Sequence, residues 1–157
     1  MRVSVIGGSR IDDDTYDIAY DVGGLLAERA HTIVCGGLAG VMEAACRGAH
    51  ETTATEVTPE TIGILPGEER AAANEWVTTP IATGLGHARN ALVVLNGDAV
   101  IAIDGAAGTL SELGLGLAFD RPIAGLDTHP IGLDGFEAVD TPTEAVDYVE
   151  SAAARRQ

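Results

Sequence analysis

Short apolar segments alternate with amphipathic, helix-forming segments along the chain, and this alternation restricts the possible folds more than any other feature. Five segments have the length and composition of buried strands: RVSVI (2–6), HTIVC (31–35), TIGIL (61–65), DAVIAID (98–104) and RPIAGL (121–126). Such alternation gives parallel strands with helices on both faces of the sheet. We therefore predict an α/β fold, a three-layer doubly wound parallel sheet of Rossmann-like type. We expect residues 1–157 to form one domain.

Helix starts are marked by capping residues. Asp12, Asp13 and Asp14 suit the N-cap and first turn of one helix, and Thr141 followed by Pro142 predicts the start of the last one. Residues 87–96 have a helical pattern. Two segments are ambiguous, and each can supply a short extended piece: WVTTP (76–80) and PIGLDGFEAVD (130–140).

The chain is strongly acidic, with 24 acidic residues against 9 basic ones and a net charge of −15. All the basic residues are arginine, and the acidic residues are scattered rather than gathered in a tail. This distribution favours a halophilic protein, whose self-repulsion is screened by salt, over a protein that binds a basic partner. The absence of a basic patch argues against nucleic-acid binding.

The N-terminus MRVSVIGG lacks the pattern of a signal peptide, and no apolar run is long enough to span a membrane. We therefore expect a cytoplasmic protein without a membrane partner. Cys35 and Cys46 do not make a disulfide framework, and packed small hydrophobes are favoured over nucleophiles. The four histidines show no ligand spacing, so we predict no metal site.

Three predicted strands end in glycine-rich turns that lead into helices. The candidate ligand-binding residues are Gly7, Gly8 and Ser9 in the first turn, Gly36 and Gly37 in the second, and Gly105, Gly108 and Thr109 in the third. In doubly wound sheets, ligands bind beyond the carboxyl ends of the strands, at the point where strand order reverses. We expect strands 2–6 and 98–103 to flank that point. Glycine permits close backbone approach, and a helix N-terminus offers free N–H groups to an anion.

Two common nucleotide-binding patterns are absent. The first turn lacks the G-x-G-x-x-G spacing of dinucleotide-binding proteins, and a chain without lysine cannot carry the P-loop lysine. The missing lysine also argues against a decarboxylase that holds pyridoxal phosphate as a Schiff base. A small phosphate-bearing ligand therefore remains the predicted partner.

Three motifs occur in an order that resembles one family: GGLAGVMEAACRGA (36–49), GHARNALV (86–93) and DGAAGTLSE (104–112). They resemble the motifs of the LOG-like family, also called the possible lysine decarboxylase or SLOG family, and above all its branch of molybdenum-cofactor carrier proteins. The resemblance covers residues 2–126. It implies a Rossmann-like domain that is commonly dimeric or larger. It also implies either a bound nucleotide monophosphate or molybdenum cofactor, or metal-independent hydrolysis of nucleoside 5′-monophosphates to base and ribose 5-phosphate.

The resemblance assigns the catalytic positions of the hydrolases to Arg89 and Glu112. Three residues depart from the hydrolase pattern: Asp104 stands in place of proline, Ala106 in place of glycine, and Asn90 in place of lysine. The triplet Ala-Arg-Asn at 88–90 is similar to the carrier branch, which also makes Asn90 a candidate ligand contact.

The chemistry of these side chains leaves two functions open. A carboxylate at Glu112 can stabilise an oxocarbenium-like transition state or activate water, and Arg89 can clamp a phosphate. Alternatively, Glu112 only complements the helix dipole and Arg89 pairs with a surface acid. The segment 66–86 is either a mobile lid or an ordinary surface loop. We therefore expect either a protein that binds a nucleotide or phosphate-bearing cofactor, or a phosphoribohydrolase.

Overall fold

The computed structural model describes residues 1–52 and 59–155. Its strands are β1 (Arg2–Gly7), β2 (Thr32–Cys35), β3 (Thr61–Leu65), β4 (Thr79–Ala82), β5 (Ala99–Ile103), β6 (Ile123–Leu126) and β7 (Phe136–Val139). Its α-helices are α1 (Asp13–Glu28), α2 (Val41–Glu51), α3 (Asn90–Leu95), α4 (Ala107–Ala118) and α5 (Pro142–Ala154). Short 3₁₀ segments occur at Arg70–Ala72 and Gly86–Arg89.

The described strands form one parallel sheet in the order β4-β3-β2-β1-β5-β6-β7. Strand order reverses between β1 and β5, which pair in parallel with Val3 opposite Ala99 and Gly7 opposite Ile103. The predicted doubly wound α/β fold is confirmed, as is the pair of strands that flanks the reversal point.

Helices cover both faces of the sheet, so the central strands are buried on each side. Val3 and Val5 pack in the core formed with α1, α2 and α5. Ile6 packs in the second core, formed with α3 and α4. Ser4 also faces the second core, where its hydroxyl donates to the carbonyl of Val93 at 2.7 Å. This alternation follows from the two-residue period of a strand.

Two glycines let α1 and α2 pack backbone against backbone. A Cβ atom added at Gly23 would lie 1.9 Å from the carbonyl oxygen of Ala45, and one added at Gly48 would lie 1.9 Å from that of Tyr20. Only glycine therefore fits at these two helix positions. The close approach fixes α2, whose N-terminal end carries the second glycine-rich turn.

The helix starts were predicted correctly. The Asp12 side chain accepts from the Thr15 N–H at the start of α1, and Thr141 forms a capping box with Glu144 at the start of α5. The extended piece predicted at 76–80 is found further along the chain, as β4. The ambiguous segment 130–140 contains the edge strand β7. No helix in the described ranges is long and apolar enough to cross a membrane.

Candidate functional site

The three glycine-rich turns meet at the carboxyl edge of the sheet and enclose a cleft of about 260 Å³. Nine of the eleven predicted site residues line this cleft: Gly7, Gly8, Ser9, Gly36, Arg89, Asn90, Gly108, Thr109 and Glu112. Six further residues on its walls and rim were not predicted as site residues: Val5, Ile6, Leu38, Met42, His87 and Ala106. Leu38 and Met42 belong to the helical motif 36–49 and His87 to the motif 86–93, so the motifs themselves were the available signal.

Two of the predicted ligand-binding residues, Gly37 and Gly105, lie in the turns but outside the lining of the cleft. Gly37 has φ +77°, and a Cβ there would lie 2.8 Å from the Leu65 side chain. Gly105 has φ +115°, and its Cβ would lie 2.3 Å from the Thr109 hydroxyl. Both glycines shape the turns, because a larger residue would meet strain in the backbone and a steric clash.

The first two turns are joined through the backbone. The N–H of Val41, the first residue of α2, donates to the carbonyl of Gly8 at 2.9 Å. The second turn is also held by Asn74, whose N–H donates to the Gly37 carbonyl at 2.9 Å and whose side-chain amide donates to the Leu38 carbonyl at 2.8 Å. Asn74 carries no sequence signal for this role because it lies far along the chain.

The start of α4 is a potential anion site. Its N-cap is Ala106, which has no side chain to cap the helix, and the first intrahelical bond runs from Leu110 N–H to the Ala106 carbonyl. The N–H groups of Ala107, Gly108 and Thr109 therefore have no partner within the helix. Helix α1 differs, because Asp12 caps it. The free N–H groups of α4 and the positive end of its dipole favour a bound phosphate.

The turn before α4 has a backbone that proline cannot adopt. Asp104 has φ +51°, whereas the proline ring holds φ near −65°. The Asp104 N–H donates to the Leu126 carbonyl at 3.1 Å, and its own carbonyl accepts from the Thr128 hydroxyl at 2.6 Å. Proline therefore cannot replace Asp104 without a change in the path of this turn.

Arg89 is a buried cation on the wall of the cleft, with 8% of its surface exposed. Its Nη1 lies 3.8 Å from Oε1 of Glu112 and donates to Oδ1 of Asn90. Its Nε atom is buried and has no hydrogen-bond partner among the described residues. The alternative that Arg89 pairs with a surface acid is therefore wrong, because its carboxylate partner is itself buried in the cleft.

Asn90 links Arg89 to the first turn of α4. While its carbonyl oxygen accepts from Arg89, its side-chain NH₂ donates to the Ser111 hydroxyl at 3.0 Å. The Ser111 hydroxyl in turn donates to the Gly108 carbonyl at 2.7 Å. A lysine at position 90 has no acceptor and cannot make the first of these bonds. The orientation of the arginine and the position of the helix end are therefore coupled.

Glu112 is the sixth residue of α4 and lies in its second turn, so the alternative that it only complements the helix dipole at the first turn is wrong. Only 7% of its surface is exposed. Burial raises the pKa of the Glu112 carboxyl to about 7, against the opposing effect of the Arg89 charge. Near neutral pH this carboxyl can therefore either hold or release a proton.

The segment 66–86 contains β4 and is tied back to the sheet by its backbone. The Thr83 N–H donates to the Leu65 carbonyl at 3.2 Å, and the Gly86 N–H donates to the Pro66 carbonyl at 2.9 Å. These bonds favour an ordinary part of the fold over a mobile lid. Among the described residues, no group of three or more histidine, cysteine or acidic side chains could hold a metal ion.

The comparison with family models decides the relationship that the motifs suggest. The model of the SLOG cluster4 family matches residues 1–155. The chain belongs to the SLOG cluster4 family. A relative from Archaeoglobus fulgidus, described as an uncharacterized protein, is 39% identical over 155 residues, which cover 99% of this chain and 98% of the relative.

Two solved structures show how closely this SLOG protein follows known members of the fold. The molybdenum cofactor binding protein from the phototrophic bacterium Rippkaea orientalis has a TM-score of 0.86 and 30% identity, with 96% of this chain and 95% of that chain covered. The molybdenum cofactor carrier protein from Chlamydomonas reinhardtii has a TM-score of 0.86 and 27% identity, with 98% of each chain covered. The predicted resemblance to the carrier branch is confirmed.

Proposed function

We propose that this SLOG protein binds a nucleotide or a phosphate-bearing cofactor of the molybdenum-cofactor class in the cleft, and carries it without chemical change. One observation supports this most: the uncapped N-terminus of α4 stands beside the buried, incompletely paired cation of Arg89. Both features favour an anion, and both act at short range. Short-range attraction is needed because the net charge of −15 repels an anion at a distance. The names of the two similar structures point to the same ligand class.

The walls of the cleft suggest where each part of the ligand binds. The phosphate would accept from the free N–H groups at Gly108 and Thr109. A flat heterocycle would lie against the apolar wall formed by Ile6, Leu38 and Met42. The departures at Asn90 and Asp104 from the hydrolase pattern favour carriage over cleavage.

The proposal is tested by measuring binding of two ligands, AMP and molybdenum cofactor freshly released from a purified molybdoenzyme, by equilibrium dialysis in molar KCl. Arg89→Gln should weaken binding by at least about tenfold, since a charge-assisted contact is lost. Arg47→Gln is the matched control, because Arg47 is exposed on α2 and pairs with Glu51. Failure of the wild type to bind either ligand, or equal affinity in Arg89→Gln, refutes the proposal.

A homodimer or larger homo-oligomer is part of the proposal. Leu95 and Leu110, on α3 and α4, are 47% and 46% exposed. Sedimentation velocity of the wild type and of Leu110→Glu tests it. The wild type should sediment as an oligomer, and an unchanged sedimentation coefficient in the variant would exclude this helix face.

The pair Arg89–Glu112 supports a second candidate function, hydrolysis of nucleoside 5′-monophosphates. A carboxyl with a pKa of about 7 is suited to proton transfer at neutral pH, and as a carboxylate it can stabilise the charge that develops on ribose. The protein is incubated with a panel of nucleoside monophosphates, and free base and ribose 5-phosphate are measured. Release that is abolished in Glu112→Gln supports the enzyme. Tight binding without release supports the carrier.

A further inference from the structure

The two cysteines lie side by side beneath the second glycine-rich turn. Cys35 is the last residue of β2 and Cys46 lies in the middle of α2, and their Sγ atoms are 3.7 Å apart. Both are free thiols with no exposed surface. Packing alone explains why they are buried, but it does not require two thiols to meet.

The surroundings of the two sulfurs differ. Cys35 shares a hydrogen bond with the Cys46 thiol, the N–H of Gly37 donates to Cys35 Sγ at 3.3 Å, and the Arg89 charge lies nearby. These contacts lower the pKa of the Cys35 thiol, in that order and against the effect of burial. The hydrogen bond with Cys35 and burial raise the pKa of the Cys46 thiol. Of the two thiols, Cys35 is therefore the one that loses its proton more readily.

Cys35 is directly connected to the wall of the cleft. The next residue is Gly36, and a Cβ atom there would lie 2.6 Å from Arg89 Nη2 and 2.8 Å from Met42 Sδ. The backbone at Gly36 is thus packed against two side chains that line the cleft. A small molecule in the cleft is separated from Cys35 by a residue without a side chain.

We propose that Cys35 and Cys46 form a reversible disulfide when a hydroperoxide enters the cleft, and that this disulfide weakens ligand binding. The Cys35 thiolate attacks one peroxide oxygen, the O–O bond breaks, and the departing hydroxide or alkoxide takes up a proton. The resulting sulfenic acid is attacked by the Cys46 sulfur, which gives up its proton as water leaves. Overall, two thiols lose two electrons and two protons, and the peroxide is reduced.

The effect on the cleft follows from geometry and depends on the proposed ligand site. A disulfide has an S–S length of about 2.05 Å, so the sulfurs must approach each other by more than about 1.5 Å. This movement weakens the contact from Gly37 N–H and shifts the turn at Gly36, on which Arg89 rests. Arg89 is then displaced from the end of α4.

Disulfide formation is tested on the full chain by mass spectrometry of the intact protein after exposure to hydrogen peroxide. The wild type should lose about 2 Da, the mass of two hydrogens, and regain it with dithiothreitol. Cys46→Ala should instead carry a sulfenic acid at Cys35 that dimedone traps, and Cys35→Ala should show neither product. If the folded wild type keeps both thiols alkylatable after later unfolding, the disulfide is refuted.

Coupling to the cleft is tested by comparing AMP affinity in the reduced and oxidised protein. Oxidation should weaken AMP binding by at least about tenfold, reversibly, and AMP should slow the oxidation, as linkage requires. A disulfide that forms without a change in affinity refutes the coupling. Absence of AMP binding to the reduced protein refutes both the AMP site and the coupling. Formation of the disulfide is tested independently, by the mass of the intact protein.

Discussion

Replacing Glu112 by glutamine should change the pH dependence of folding stability in a specified direction. The folded state holds the Glu112 proton more tightly than the unfolded state, because burial raises its pKa from the ordinary 4.5 to about 7. The stability that comes from this proton is fully present below pH 4.5. It is lost as pH rises through the interval between 4.5 and 7. Glutamine resembles the protonated carboxyl at every pH, so the variant does not lose it.

The size of the effect follows from the same two values. Each pKa unit is worth about 1.4 kcal/mol, so a change from 4.5 to about 7 corresponds to about 3 kcal/mol. Glu112→Gln should therefore be more stable than the wild type above pH 7 by up to about 3 kcal/mol. Below the unfolded pKa this advantage should disappear. The remaining acidic residues affect both proteins equally and cancel in the difference.

The assay is urea unfolding of both ligand-free proteins at a series of pH values in molar KCl, which screens the general self-repulsion of the chain. The free energy of unfolding of the wild type is subtracted from that of the variant at each pH. A difference that grows from acid to neutral pH supports a buried, proton-holding Glu112. A constant difference, or one that grows towards acid pH, refutes the electrostatic reasoning about the cleft.

Three further outcomes are expected. The AMP affinity of the wild type, measured by calorimetric titration, should fall as pH rises above 7, because ionised Glu112 repels the phosphate. The affinity of Glu112→Gln should lack this fall, and equal pH profiles for the two proteins would contradict the prediction. In urea unfolding, Gly23→Ala should destabilise the fold by about 1–3 kcal/mol through overpacking. The control Gly114→Ala should stabilise α4 slightly, because a Cβ atom at Gly114 meets no atom within 4 Å. Ser111→Ala should weaken AMP binding about threefold without changing the unfolding midpoint, and Ser111→Thr should restore the affinity. A double-mutant cycle with Arg89→Gln that shows no coupling would exclude the hydrogen-bonded link from Arg89 through Asn90 to Ser111.

The elements with strong local signals were predictable from the sequence. Strand β5 is an apolar run buried on both faces, and Thr141 with Pro142 marks the start of α5, so neither depends on distant partners for recognition. The edge strands β4 and β7 were ambiguous, because each is short, half-exposed and recognisable only by the ladder it forms with its neighbour. The three glycine-rich turns were visible as motifs, and the predicted reversal of strand order explains why they meet.

The sequence by itself determined the fold class, the family resemblance and the set of residues that could form a phosphate site. The tertiary structure decided what these residues do to one another. It separated Gly37 and Gly105, which shape turns, from the glycines that line the cleft. It paired Arg89 with Glu112 and brought Cys35 against Cys46. Burial and charge pairing between residues far apart in the chain depend on the order of strands and the depth of each side chain, and local sequence patterns carry neither.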